Sequence, residues 1–278
     1  MIQFCKEFWL GLKSYWKAYH FIREHRLYWY FLIPAILMLI IYYVGNNIMK
    51  SSIDADLSNM NGIVWYFIQV AVNISIAILL MKFAKYVVVI VLSPLLSHLS
   101  QRCEKLITGN TYPIDYKQIL LDVRRGVRLA IRNILWEYFF FLIIFLISYI
   151  GWNEPTKSPV FYLTFIIGFY YYGFSFIDYD NERRKLDERT SITFVRSHRG
   201  LAMGIGMIYS LLILVPVKLD VLFSISDPGN LTFNGILLFL GHLFLWAFAS
   251  IAPIFAIVSS SIAMEDLRVS EPAEQEEI

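Results

Sequence analysis

Residues 228–264 read PGNLTFNGILLFLGHLFLWAFASIAPIFAIVSSSIAM, a stretch of 37 residues without a single Asp, Glu, Lys or Arg. A helix needs about 18 or more mainly apolar residues to cross the hydrocarbon core of a bilayer. The core of a soluble protein has no need of so long an uncharged run. The stretch therefore predicts a membrane protein.

The rest of the chain supports this prediction. Only 17% of the residues are charged and 58% are hydrophobic, whereas soluble domains carry about 25% charged residues. Four further clean uncharged runs are Leu27–Met49, Leu57–Met81, Ser158–Ile177 and Gly200–Val217. Two shorter runs, at residues 86–101 and 138–153, are ambiguous by length. We expect an all-α, polytopic integral membrane protein, with residues 1–278 forming a single membrane domain.

The basic residues indicate the orientation. The head up to Arg26, the segment 102–132 and the segment 178–199 hold five, seven and six Lys or Arg, whereas the three intervening loops hold one each. Short loops rich in Lys and Arg stay on the cytoplasmic side. Both termini are therefore predicted to be cytoplasmic, including the acidic tail at residues 265–278.

The orientation constrains the shorter run at residues 86–101. If this run crossed the membrane by itself, the seven basic residues after it would lie outside. We therefore predict one long helix from about Ile63 past Leu92, kinked by Pro94. Lys82 and Lys85 then lie on one face near the inner boundary. They are candidates either for snorkelling to headgroups or for lining an anion path.

The run at residues 138–153 pairs with Ser158–Ile177 as a helical hairpin. Its fifteen or so residues span only about 22 Å, so a shallow hairpin fits as well as a full one. Including Asn133 to Glu137 would complete a crossing, at the cost of burying Glu137 or pairing it with Arg132. Residues 200–264 have room for a second hairpin.

The head, residues 1–26, has aromatic residues at helical spacing and a basic complement. This pattern predicts an interfacial amphipathic helix on an anionic leaflet, so anionic lipids are expected partners.

Catalytic motifs are not evident. The sequence lacks a phosphate-binding loop, an HExxH motif and a CxxC motif. The acidic residues between Asp178 and Glu188 alternate with basic ones, which favours a self-neutralising surface loop over a cation site. His242 is interpreted as a structural histidine inside the last run. We expect a protein that is not an enzyme, with no cofactor, no metal and no nucleic-acid partner.

Four stretches in order carry a family resemblance: Phe8–Pro34, Ser93–Gly109 (SPLLSHLSQRCEKLITG), Asp178–Pro216 and Ala252–Asp266 (APIFAIVSSSIAMED). Together they resemble the CysZ-type sulfate permease family, which is grouped with the eukaryotic etoposide-induced proteins. The resemblance covers nearly the whole chain.

The resemblance implies an oligomeric sulfate pathway in the inner (plasma) membrane. Each protomer of the family has two long membrane-crossing helices and two partly inserted helical hairpins, with cytoplasmic termini. This chain departs from the family at the Gly-Leu-Arg sulfate motif. The corresponding residues here are Glu24-His25-Arg26-Leu27. The fold therefore transfers more securely than the substrate.

Two basic clusters are candidate anion sites, because Arg side chains and helix starts bind oxyanions. One contains Arg23, His25 and Arg26, and the other contains Arg196, His198 and Arg199. Either cluster could instead anchor the protein to the inner leaflet. Arg125 is interpreted as a generic member of the basic segment. The predicted function is permeation of sulfate or a related small oxyanion. The alternative is a non-transporting scaffold with a basic cytoplasmic surface.

Overall fold

A computed structural model describes residues 2–50, 91–110, 116–213, 221–222 and 232–270, which are mainly helical with no strand among them. The helices are α1 (Ile2–Glu24), α2 (Leu32–Lys50), α3 (Ser93–Thr108), α4 (Tyr116–Gly151), α5 (Leu163–Arg183), α6 (Glu188–Ser197), α7 (Arg199–Ile213) and α8 (Phe233–Ser270). Short 3₁₀ segments are Leu27–Phe31, Pro155–Lys157 and Pro159–Tyr162. The all-α prediction is confirmed.

Three of the described helical stretches are long and apolar enough to cross a membrane: Arg124–Gly151, Pro159–Arg183 and Phe233–Ser270. They contain 28, 25 and 38 residues. At 1.5 Å per residue the shortest is about 38 Å long, which exceeds a hydrocarbon core of about 30 Å. The described part of the chain is therefore that of a membrane protein, as the sequence predicts.

The predicted hairpin at residues 138–177 is present as α4 and α5, which pack together. Its first helix is longer than the uncharged run, because it continues without a break from Tyr116 through Asn133 and Glu137. Its length therefore does not require shallow insertion. Glu137 accepts a hydrogen bond from the Tyr172 hydroxyl on α5 at 3.4 Å.

Helix α7 lies at the centre of the packing and contacts α1, α5 and α8. Small residues allow this. A Cβ atom on Gly173 of α5 would lie 1.8 Å from the carbonyl oxygen of Ala202. A Cβ atom on Gly206 of α7 would lie 1.8 Å from that of Phe169. The two backbones therefore touch, which is the close approach that small residues permit between helices in membranes.

The predicted helix in the head is confirmed as α1, but α1 is also packed into the protein core. One face packs against α7 and α8 and buries Glu7, Gly11, Tyr15, Ala18 and Ile22. Trp9 and Trp16 are exposed on the remaining surface. Contact of these rings with lipid stays a prediction.

Helix α8 has two different halves. Up to Phe248 it exposes large apolar side chains such as Leu237 and Phe244. From Ala249 to Leu267 it is mostly buried against α1, α3 and α5. One helix thus has a half with exposed apolar side chains, which suits lipid, and a half that belongs to the protein core.

The predicted helix from Ile63 lies outside the described residues except at its end. There the chain turns at Leu92, and α3 begins at Ser93 with Pro94 in its first turn. A proline is tolerated at this position because its missing N–H would have no partner within the helix.

Candidate functional site

The predicted site residues fall at separate places. Lys82 and Lys85 lie outside the described residues. Arg23 lies in the last turn of α1 and His25 and Arg26 follow it, whereas Arg199 lies near the beginning of α1, since Gly200 packs against Phe4. Nineteen residues of helix separate Phe4 from Arg23, or about 28 Å. The two predicted clusters therefore do not form one site.

The cluster after α1 forms a turn. Arg23 and Arg26 are exposed, and His25 is half-buried with its Nδ1 3.0 Å from the carbonyl oxygen of Phe21. Arg26 has φ 54° and ψ 43°, a left-handed conformation that favours glycine. An arginine thus makes this turn, in a backbone conformation that glycine adopts more easily.

The second cluster lies where α6 ends and α7 begins. Arg196 and Arg199 are exposed, and the Nε of Arg199 donates to the carbonyl oxygen of Arg196 at 2.9 Å. His198 between them faces inward, where its Nδ1 lies 2.9 Å from Oε1 of Glu7. The histidine therefore connects α7 to α1 and does not join the two arginines at the surface.

A third arginine joins this place from the hairpin. Arg132 of α4 lies with its guanidinium carbon 5.8 Å from the centre of the Phe174 ring. Arg132, Arg196 and Arg199 all act electrostatically on the phenol of Tyr170, and the first two also act on Tyr171. We call these three arginines the arginine cluster.

The arginine cluster has no carboxylate partner within the described residues. Other basic residues do: Arg128 pairs with Glu188 at 3.0 Å, and Lys17 pairs with Asp266 at 2.6 Å. Glu137 is the nearby acid, since it too acts on Tyr171. Three guanidinium groups from three helices thus lie near Tyr170. Such groups suit oxyanions, because the planar guanidinium forms paired, charge-assisted hydrogen bonds.

The acidic residues at the end of α5 are not on a surface loop, so that prediction is wrong. Asp178, Asp180 and Glu182 belong to α5 and are buried. The self-neutralising part of the prediction is correct for Asp180, which pairs with Arg183 at 3.0 Å, whereas Asp178 pairs with Arg125 of α4 at 3.1 Å. Helix α5 runs further than the uncharged pattern predicts because these charges are satisfied by neighbouring helices.

Asp180 is the centre of a buried ionic core formed by three helices. Its carboxylate accepts from Ser100 of α3 at 2.9 Å, and from Ser260 and Ser261 of α8 at 2.8 and 2.9 Å. Arg183 also contacts Glu104 of α3. We call Glu104, Asp180 and Arg183 with these serines the ionic core. Because these donors come from α3, α5 and α8, the carboxylate connects the three helices.

The ionic core has an effect on the thiol nearby. Burial first, and then the charge of Asp180, raise the pKa of Cys103 to about 12. Within the described residues, no three His, Cys, Asp or Glu side chains come together as metal ligands. His242, interpreted from the sequence as a structural histidine, is partly exposed in an open cleft lined by Asn234, Leu237 and Leu245.

Sequence reasoning missed Arg132 and the ionic core. Arg132 is one of seven basic residues in its segment, and nothing in the spacing separates it from Arg128. The serine run at 259–261 on α8 is a signal for a polar core, since it interrupts an apolar helix beside the basic end of the protein.

The comparisons with known proteins agree with the fold. No curated protein matches the chain. A family model described as sulfate transporter CysZ/etoposide-induced protein 2.4 matches residues 14–223, from the second half of α1 through α7. Because the match covers more than half of the chain, the chain belongs to the sulfate transporter CysZ/etoposide-induced protein 2.4 family.

Proposed function

We propose that this protein carries sulfate or a related small oxyanion across the membrane. The observation that carries the proposal is the arginine cluster, which offers three guanidinium groups that no described carboxylate neutralises. Family membership and the membrane-crossing helices support a transport role.

The positions of the three arginines suit a binding step near a membrane surface. Arg196 and Arg199 are exposed at a helix junction, and Arg132 lies half-buried on the long helix α4 of the hairpin. An anion attracted by the first two arginines would meet the third on a helix long enough to cross the bilayer. Tyr170 adds a hydroxyl beside them, which can donate to an oxyanion.

The same positive charge could be satisfied by the phosphate of an anionic lipid. Surface arginines near the inner leaflet attract such lipids by about 1 kcal/mol each. The two ligands differ in size and reach. A lipid phosphate stays at the headgroup level, whereas a free oxyanion can reach Arg132 inside the hairpin.

Equilibrium binding of sulfate to the purified protein tests the proposal. Arg132→Gln, Arg196→Gln and Arg199→Gln should each weaken binding, because each removes a charged hydrogen-bond donor. Arg128→Gln is the matched control, since it lies one turn from Arg132 on α4 and is already paired with Glu188. Equal weakening in all four variants would mean general electrostatics and would contradict a site.

The charge pattern and the family support three further parts of the proposal: the membrane, the orientation and the oligomeric state. The protein lies in the inner (plasma) membrane with both termini cytoplasmic, and it functions as a homo-oligomer. Lys82 and Lys85, which lie outside the described residues, are further candidates for the path. Replacing both with Gln should lower anion flux without loss of expression, and unchanged flux would remove them from the path.

A further inference from the structure

The interface between α4 and α5 encloses a small cavity of about 20 Å³. Its walls include Gly126, Ala130 and Asn133 on one face of α4, and Ser175 and Asp178 on α5. A cavity must have a volume of about 10–15 Å³ to hold one water molecule. The space fits one water, and it is too small for sulfate.

The walls carry a polar group without a partner. Asn133 is 1% exposed, and no described residue accepts a hydrogen bond from its Nδ2. Its Oδ1 faces a donor, the guanidinium of Arg132 at 3.5 Å, so the amide is oriented with its nitrogen free. A buried amide left without an acceptor destabilises a folded protein, because it has lost its hydrogen bonds to water.

Acceptors lie on the opposite wall. Asp178 is 4% exposed, and its Oδ1 accepts from Arg125 and Ser191. A carboxylate has about four lone-pair positions, so it can accept a further hydrogen bond. The Ser175 hydroxyl donates to the carbonyl oxygen of Tyr171 at 3.1 Å and can itself still accept.

We propose that this cavity binds a single water molecule, which accepts from Asn133 and donates to Asp178. The water supplies the acceptor that the amide lacks and gives the buried carboxylate a further donor. Two or more polar partners are what a buried water requires. The α4–α5 hairpin is thereby joined by a water bridge beside the Arg125–Asp178 ion pair.

Two variants of α4 test the water site by thermal unfolding of the purified protein in detergent. Asn133→Leu replaces the amide with an apolar group of similar size. Ser148→Ala removes another buried polar atom without a described partner, at a position that does not line the cavity. If water is bound, Asn133→Leu should lower the unfolding midpoint by about 2–4 °C, while Ser148→Ala leaves it unchanged or raises it.

If the unfolding midpoint rises in Asn133→Leu, as it does in Ser148→Ala, the water site is wrong. In a dry cavity, replacing an unpaired amide with an apolar group would stabilise the protein. A high-resolution structure of the unaltered protein gives a second measurement should Asn133→Leu fail to fold. A density peak within hydrogen-bonding distance of both Asn133 and Asp178 supports the water, and an empty cavity refutes it. Neither result depends on whether the protein carries sulfate.

Discussion

Replacing Asp180 with Asn should destabilise the protein strongly. The side chain is fully buried and accepts hydrogen bonds from Ser100, Ser260 and Ser261 while pairing with Arg183. The Asn variant keeps the shape but removes the charge, so Glu104 is the carboxylate neighbour that Arg183 retains among the described residues. Half of the acceptor positions facing the serines also become N–H donors.

The magnitude follows from the burial. Removing one partner of a buried ion pair costs about 3–5 kcal/mol, because the remaining charge is left in a poorly solvated place. The three serine hydrogen bonds belong to the same unit, so their loss is included in that range and is not added to it. Because Arg183 keeps Glu104 as a partner, we expect a loss at the lower end of that range, about 3 kcal/mol in the free energy of unfolding.

The control is an exposed ion pair of the same protein. Glu188→Gln breaks the pair with Arg128, whose side chains are 33% and 60% exposed. Exposed pairs contribute about 0–1 kcal/mol. Unfolding by denaturant in detergent micelles measures both variants. A loss in Asp180→Asn no larger than in Glu188→Gln would refute the argument that the ionic core braces α3, α5 and α8.

A double-mutant cycle sharpens the result. If Asp180 and Arg183 act as a pair, Asp180→Asn combined with Arg183→Gln should cost less than the two single losses added together, since each single change already breaks the same pair. Additive losses would show that the two side chains stabilise the protein independently.

Three further predictions concern packing, chemistry and orientation. Gly173→Ala should destabilise the protein because its methyl would meet the Ala202 carbonyl, whereas Gly241→Ala, where a Cβ meets nothing, should be neutral or stabilising by up to about 1 kcal/mol. Unfolding midpoints compare the two, and equal effects would contradict the α5–α7 contact. With a pKa of about 12, Cys103 has almost no thiolate at pH 8, so a maleimide should label the native protein once, at the exposed Cys5, and twice after denaturation. Two labels in the native state, counted by mass spectrometry, would contradict the burial. A cysteine placed at Asn59, with Cys5 and Cys103 replaced, should react with an impermeant reagent from outside the cell, and labelling from the cytoplasmic side alone would overturn the proposed orientation.

The membrane-crossing stretches Pro159–Arg183 and Phe233–Ser270 could be predicted from the sequence because each depends on a local property, the absence of charge over a length that spans lipid. The run at 138–153 is ambiguous by length, because α4 continues into the charged residues before it. The turn at residues 153–157 likewise predicts that α4 and α5 form a hairpin. The end of α5 is a different case. Asp178 and Asp180 look like surface residues in isolation, and only the approach of α3, α4 and α8 provides the Arg and Ser partners that let them be buried.

The arginine cluster shows the same difference between local and tertiary information. Arg196 and Arg199 are close in sequence and precede a helix, so they could be identified as a candidate site. Arg132 lies 64 residues before Arg196. It joins them because α6 and α7 fold back along α5, and this arrangement depends on the close contact of Gly173 and Gly206. Such backbone contacts have no signal in hydrophobic periodicity.

The central claim is that this protein carries an oxyanion through a path that includes Arg132. Uptake of radiolabelled sulfate into proteoliposomes containing the purified protein tests it most directly. We expect uptake above that of protein-free vesicles, reduced about tenfold by Arg132→Gln, as the loss of one charge-assisted hydrogen bond of about 1.5 kcal/mol requires, and unchanged in Arg128→Gln. Uptake by the unaltered protein equal to that of protein-free vesicles would contradict the transport function. Normal uptake in Arg132→Gln would contradict the path.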